Sequence, residues 1–121
     1  MKIGSIILRT PDVNGATAFW SEVVGLEVLQ QLPGYTFLNA EPLQIVLAEI
    51  DRPIEDDSFT EIVFFADDVR AEFAAMTLRG VPFERELGAP IMSQDGKDLI
   101  AAHFQDPDGH YGRLTGWVAS E

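Results

Sequence analysis

The chain has 121 residues, 46% hydrophobic and 23% charged, which fits one globular domain with a core of its own. Twenty acids against eight bases give a formal net charge of −12, a field that repels nucleic acid and anionic membranes and attracts cations. There is no cysteine, which excludes disulfides, thiolate metal sites and cysteine nucleophiles, and a cytoplasmic location is expected.

The N-terminus runs directly into a strand without a signal-peptide layout, and the longest apolar runs, such as Ile62–Ala66, are too short to cross a bilayer. Alternation marks Ile3–Arg9 as the first strand. Pro11-Asp12-Val13 starts a helix with Asp12 as N-cap; Val13, Ala16, Phe19 or Trp20, and Val23 recur at helical spacing, and Gly25 ends it. Strands follow at Glu27–Leu32, Tyr35–Asn39 and Leu43–Glu49, with turns at Pro33-Gly34 and Glu41-Pro42. Asp51–Ser58 is polar and reads as a connector.

The pattern then starts again. Glu61–Ala66 is a strand, Asp68 caps a helix carrying Val69, Phe73 and Met76, and Gly80 closes it. Further strands are expected at Phe83–Leu87, Leu99–Gln105 and His110–Trp117. Between the first two lies Gly88–Asp98, read as a long loop with exposed Ile91 and Met92 that either covers a site or is simply mobile. Asp12 and Asp68 stand 56 residues apart, and at that offset Ser5 meets Glu61, Ile6 meets Ile62, Ile7 meets Val63 and Leu8 meets Phe64. The expectation is a single α+β domain of two tandem βαβββ units, about 1–50 and 59–118, joined by the connector at 51–58.

Between the last two strands, Phe104-Gln105-Asp106-Pro107-Asp108-Gly109-His110 reads as a hairpin turn. Asp106 suits the first turn position, Pro107 presets φ for the second, and Gly109 accepts positive φ. With this turn, Pro11-Asp12-Val13 followed by Ala18-Phe19-Trp20, Val24-Gly25-Leu26, and the Asp67-Asp68-Val69 junction, the chain resembles the vicinal oxygen chelate superfamily. That group includes glyoxalase I, bleomycin-resistance proteins, fosfomycin-resistance enzymes and extradiol dioxygenases. The resemblance covers essentially the whole chain. It implies two curled sheets around an open cup, a homodimer, and, in metal-dependent members, His, Glu or Gln ligands on the first and last strands of each unit.

Carried over residue by residue, the ligand pattern fails. Ser5 stands where such members have His or Gln, Glu61 where they commonly have His, and Arg113 where the last strand usually has Glu. Gln44 or Val46 holds the remaining position, depending on register. Serine and valine are poor ligands and arginine is a permanent cation, so no metal or other cofactor is expected. Glu61 and Arg113 can instead pair, either plugging the cup or contacting a polar ligand. Arg9 shares a strand face with Ser5 and Ile7 and is placed at the rim. Phe19 and Trp20 are placed in the core, and Trp117 at a dimer contact or the cup mouth. Tyr35, Phe37, Phe65 and Tyr111 are strand aromatics that could line a pocket. His110 is read as a surface turn residue. His103, if Phe104 faces the helix, turns toward the cup as a hydrogen-bonded strand histidine or a weak acid–base candidate.

The ligand-binding set is therefore Ser5, Ile7, Gln44, Val46, Glu61, Val63, His103, Tyr111 and Arg113. The leading expectation is a metal-independent binder of a small organic ligand, in its concrete form sequestering a toxic compound. The alternatives are a lyase, isomerase or dioxygenase with a displaced metal site, and a structural or regulatory dimer whose cup the Glu61–Arg113 pair closes. Neither nucleic acid nor membrane is an expected partner.

Overall fold

The computed structural model describes residues 1, 3–54 and 60–121. Part of the expected connector, residues 55–58, lies outside the described residues. The first half runs β1 (Ser5–Thr10), α1 (Val13–Ala18) continuing into a π-helical turn (Phe19–Val24), β2 (Val28–Leu32), β3 (Tyr35–Ala40) and β4 (Leu43–Glu49). The second runs β5 (Glu61–Phe65), α2 (Val69–Leu78), β6 (Met92–Gln94), β7 (Lys97–Gln105) and β8 (Tyr111–Ala119). Each half is a βαβββ unit with its own four-stranded sheet, ordered β1-β4-β3-β2 and β5-β8-β7-β6. In both, the first strand pairs in parallel with the last and the other pairings are antiparallel. The chain divides into two compact units. The first comprises Met1–Asp57 together with Asp106–His110, and the second comprises Ser58–Gln105 with Tyr111–Glu121.

The helix starts follow from their sequences. Asp12 accepts the Gly15 N–H at 3.1 Å and Asp68 accepts the Ala71 N–H at 3.1 Å, each satisfying an amide that the first helical turn leaves open. Gly25 closes the first helix at φ 102°, a left-handed position that a side chain would resist. In the first unit, Leu8, Ala16, Trp20, Leu38, Ile45 and Leu47 are buried under that helix. In the second, Val69 and Met76 of α2 join Ile100, Ala102, Phe104 and Leu114 of the sheet. A Cβ at Gly112 would collide with the Phe104 ring, and one at Gly116 would come within 2.6 Å of the Ala66 carbonyl oxygen. Those glycines let β8 lie close beneath its neighbours.

Two expectations in the second unit are corrected. Phe83–Leu87 is not a strand. Glu84 and Gly88 donate their N–H groups to the carbonyls of His103 and Ala101, so five residues face three of β7, too many for a regular ladder. Phe83 is drawn instead into an aromatic layer, 4.6 Å from Phe73 and 5.7 Å from Phe104 between ring centroids. The missing strand is β6, inside the segment read as a loop over Gly88–Asp98. Its turn to β7 is Asp95-Gly96, with φ of 54° and 76°, the pair of positive values that a two-residue hairpin demands. No helix of the described residues is long and apolar enough to cross a membrane.

Candidate functional site

In the second sheet, the even residues of β7 and β8 face α2. Phe104 and Leu114 are fully buried, and the space over Gly116 is filled by Val69. Strand alternation sends Glu61, Val63 and Phe65 of β5, Tyr111, Arg113, Thr115 and Trp117 of β8, and Leu99, Ala101 and His103 of β7 to the opposite face. The register puts Arg113 between Val63 and His103, and Glu61 beside Tyr111.

Three of the expected residues meet there. Arg113 Nη2 lies 2.8 Å from Glu61 Oε1, a charge-assisted contact. His103 Nε2 lies 3.5 Å from Glu61 Oε2. All three side chains are partly exposed, at 32%, 28% and 39% for Arg113, Glu61 and His103, so solvent still reaches the cluster. One polar atom is left over. Arg113 Nε is buried and has no hydrogen-bond partner, a donor held out of water with nothing to accept from it.

The equivalent face of the first sheet carries no charge at the matching positions. Ile7, Val46 and Phe37 form the row that corresponds to Val63, Arg113 and His103, and Ser5 and Gln44 the one that corresponds to Glu61 and Tyr111. The register thereby settles which of Gln44 and Val46 matches Arg113: it is Val46. Val46 is buried, Ser5, Ile7 and Gln44 are exposed, and Arg9 at the end of this face is exposed as well.

His110 is not a surface residue. It is 5% exposed, and its Nε2 donates to the Arg9 carbonyl at 2.8 Å. The turn around it is built on Asp106. One carboxylate oxygen accepts the N–H groups of Asp108 and His110 at 2.9 and 2.8 Å, and the other accepts Trp20 Nε1–H at 3.0 Å. Burial raises the Asp106 pKa above the usual value, opposed by the His110 backbone bond, the His110 charge and the Trp20 bond. Asp106, Asp108 and His110 approach as a metal site would, within 4.8 Å of one another. Both Asp106 carboxylate oxygens and His110 Nε2 are already engaged in hydrogen bonds, however, so Asp106 and His110 serve as a structural clamp.

The expected ligand positions do not fit a divalent ion either. Such an ion needs several donors at about 2.0–2.6 Å. Glu61 Oε1 already holds a guanidinium, and Arg113 would set a permanent cation against any ion bound by Glu61 and His103. Two concavities lie apart from this cluster. One, about 870 Å³ and wide open, is lined by Pro11, Glu49, Ile50, Asp51, Arg52 and Pro53 in the first unit. The other, about 340 Å³, is lined by Gln94, Asp95, Lys97 and Trp117 in the second. The sequence reading placed Trp117 at a dimer contact or the cup mouth but missed its neighbours, because the Asp95-Gly96 hairpin signal was taken for part of a loop.

No curated protein matches the chain. Solved structures do, at low identity. A glyoxalase/bleomycin resistance protein/dioxygenase from Alicyclobacillus acidocaldarius is 16% identical, with 96% of this chain and 91% of that one covered at a TM-score of 0.77. One from Nocardioides is 14% identical, covering 98% and 84% at 0.76. Lactoylglutathione lyase from Agrobacterium tumefaciens is 21% identical, covering 95% and 92% at 0.66. These establish the fold. The model of the Glyoxalase/Bleomycin resistance protein/Dioxygenase superfamily matches residues 2–112, and the chain belongs to that superfamily.

Proposed function

We propose that this protein binds a small organic molecule on the open face of its second sheet, without a metal ion, through an oxygen-bearing group held by Arg113. The observation that carries the reading is the Arg113 guanidinium, held by Glu61 at 2.8 Å and still 32% exposed on that face. A carboxylate or similar acceptor would engage the exposed part of that guanidinium, whereas an amine would have to compete with Arg113 for Glu61. The ligand is thus anionic or zwitterionic rather than a simple cation, and the net charge of −12 serves solubility. Sequestration of a toxic compound is the concrete form of this function, and a cytoplasmic homodimer is its setting.

A second reading is supported by the 3.5 Å approach of His103 to Glu61, an imidazole oriented by a carboxylate as in general acid–base catalysis. A thermal-shift screen of small carboxylates against wild type, Arg113→Gln and His103→Gln separates the two. Binding predicts ligands that raise the melting temperature of wild type and His103→Gln but not of Arg113→Gln. Turnover of a bound ligand, lost in His103→Gln, would favour the enzyme. If no carboxylate raises the wild-type melting temperature, the binding reading fails.

A further inference from the structure

We propose that the open face of the second sheet is bipartite, with Arg113 at one end and a ring-binding subsite of Trp117, Lys97, Gln94 and Asp95 at the other. Its ligand is an elongated organic acid that carries an aromatic ring away from its carboxylate. The inference rests on the reading of Arg113 given above and adds the other end of the ligand.

Arg113 and Trp117 are both odd residues of β8, and residues four apart on a strand share a face. At about 3.3 Å per residue the two ends are about 13 Å apart, the span of a drug-sized molecule. Trp117 lines the concavity of about 340 Å³, within the range of about 300–1,000 Å³ typical of small-molecule pockets. It is half-buried, which leaves part of its indole free to stack. The flanking Lys97 and Asp95 are of opposite sign, so the subsite as a whole attracts neither cation nor anion. A neutral planar ring fits it better than a second charge.

The register fills in the ground between the ends. Above the row of Val63, Arg113 and His103 comes a row of Phe65, Thr115 and Ala101, and above that Trp117 pairs with Leu99. Thr115 and Ala101 are buried, so the exposed apolar surface beside this row comes from Phe65, which is 65% exposed. An aliphatic or aromatic linker suits that surface. The carboxylate belongs at the other end, where the partly exposed Arg113 guanidinium is fixed by Glu61.

The test is calorimetric titration of the full-length protein with octanoate, phenylacetate and phenyloctanoate. Phenyloctanoate, with the ring far from the acid, should bind about tenfold tighter than octanoate, the scale of one aromatic stack plus ring burial. Phenylacetate, too short to reach both ends, should gain nothing from the ring. Trp117→Ala should abolish the advantage of phenyloctanoate and leave octanoate unchanged, Trp117→Phe should keep most of it, and Arg113→Gln should weaken both acids. A readout that needs no variant is acrylamide quenching, since Trp20 is fully buried and Trp117 is not. Phenyloctanoate should protect the fluorescence and octanoate should not. An advantage that survives Trp117→Ala, or absence of protection, overturns the subsite while leaving the Arg113 reading intact. Failure of both acids to bind wild type overturns the two together.

Discussion

The two sheets have the same strand order and the same pairing directions, yet their open faces differ in chemistry. In the first, Ser5, Ile7, Phe37, Gln44 and Val46 make a neutral surface; in the second, Glu61, His103 and Arg113 occupy the matching positions and form an ion-paired cluster. The βαβββ frame therefore fixes where side chains point without fixing what they are. Charge has been concentrated on one copy of a repeated scaffold, and function should follow it there.

The largest expected effect comes from moving the charge to the wrong sheet. Val46→Arg places an unpaired cation at a position 7% exposed among neutral neighbours, and should cost about 3–5 kcal/mol in denaturant unfolding. Adding Ser5→Glu should recover part of that loss, because Ser5 stands to Val46 as Glu61 stands to Arg113. No recovery would mean that the two frames are not equivalent at side-chain level.

Asp106 is the next place to break the symmetry. Its turn joins two strands of the second sheet but belongs to the first compact unit, where it clamps Trp20. Asp106→Ala leaves Trp20 Nε1 and two backbone N–H groups without their acceptor and should cost about 2–4 kcal/mol. Asp106 also gives a pH signature. Its folded pKa is raised, so the folded state holds the proton more tightly than the unfolded one. Its contribution to stability should fall as pH rises from the unfolded value through the folded one, then level off. Asp106→Asn should remove that component from a pH series of urea melts.

Making the second sheet resemble the first is the converse test. Arg113→Val alone removes the guanidinium from Glu61, leaving only His103 nearby, and should cost about 1–2 kcal/mol, less than for a fully buried pair because solvent reaches both side chains. The double variant Glu61→Ser with Arg113→Val should return to within about 1 kcal/mol of wild type, since replacing both members of an ion pair is cheaper than removing one. A double variant as unstable as the sum of its parts would show that Glu61 and Arg113 act on stability independently and not as a pair. Smallest of all should be the difference between Gly34→Ala and Gly96→Ala. Both glycines hold positive φ, 80° and 76°, in equivalent hairpin turns, and each substitution should cost about 1 kcal/mol.

Most of the frame was legible because it rests on local signals. Asp12 and Asp68 cap their helices, Gly25 and Gly80 close them, and alternation marked seven of the eight strands near their observed positions. The eighth was misplaced because Phe83–Leu87 looks like a strand by composition, while the pull of Phe83 into the Phe73 and Phe104 layer is a tertiary effect. The short Met92–Gln94 strand has three exposed residues and little pattern of its own, and only Asp95-Gly96 betrayed it. His110 looked like a turn residue on the surface; its partner, the Arg9 carbonyl, is 101 positions away in the sequence and invisible to local reasoning. At the candidate site, the offset between halves set Glu61 opposite Ser5, the family resemblance singled out Arg113, and alternation turned His103 toward the same face. The orphaned Nε and the Trp117 concavity depend on side-chain placement, which no periodicity supplies.

The central claim is that Arg113 and Glu61 replace a metal ion as the organising charge of the binding face. Mass-spectrometric metal analysis of the untagged protein tests it most directly, after incubation with zinc, manganese, nickel and iron and removal of free ions. The account predicts far less than one metal per chain, unchanged by Glu61→Ala. One metal per chain, lost on Glu61→Ala, would contradict it.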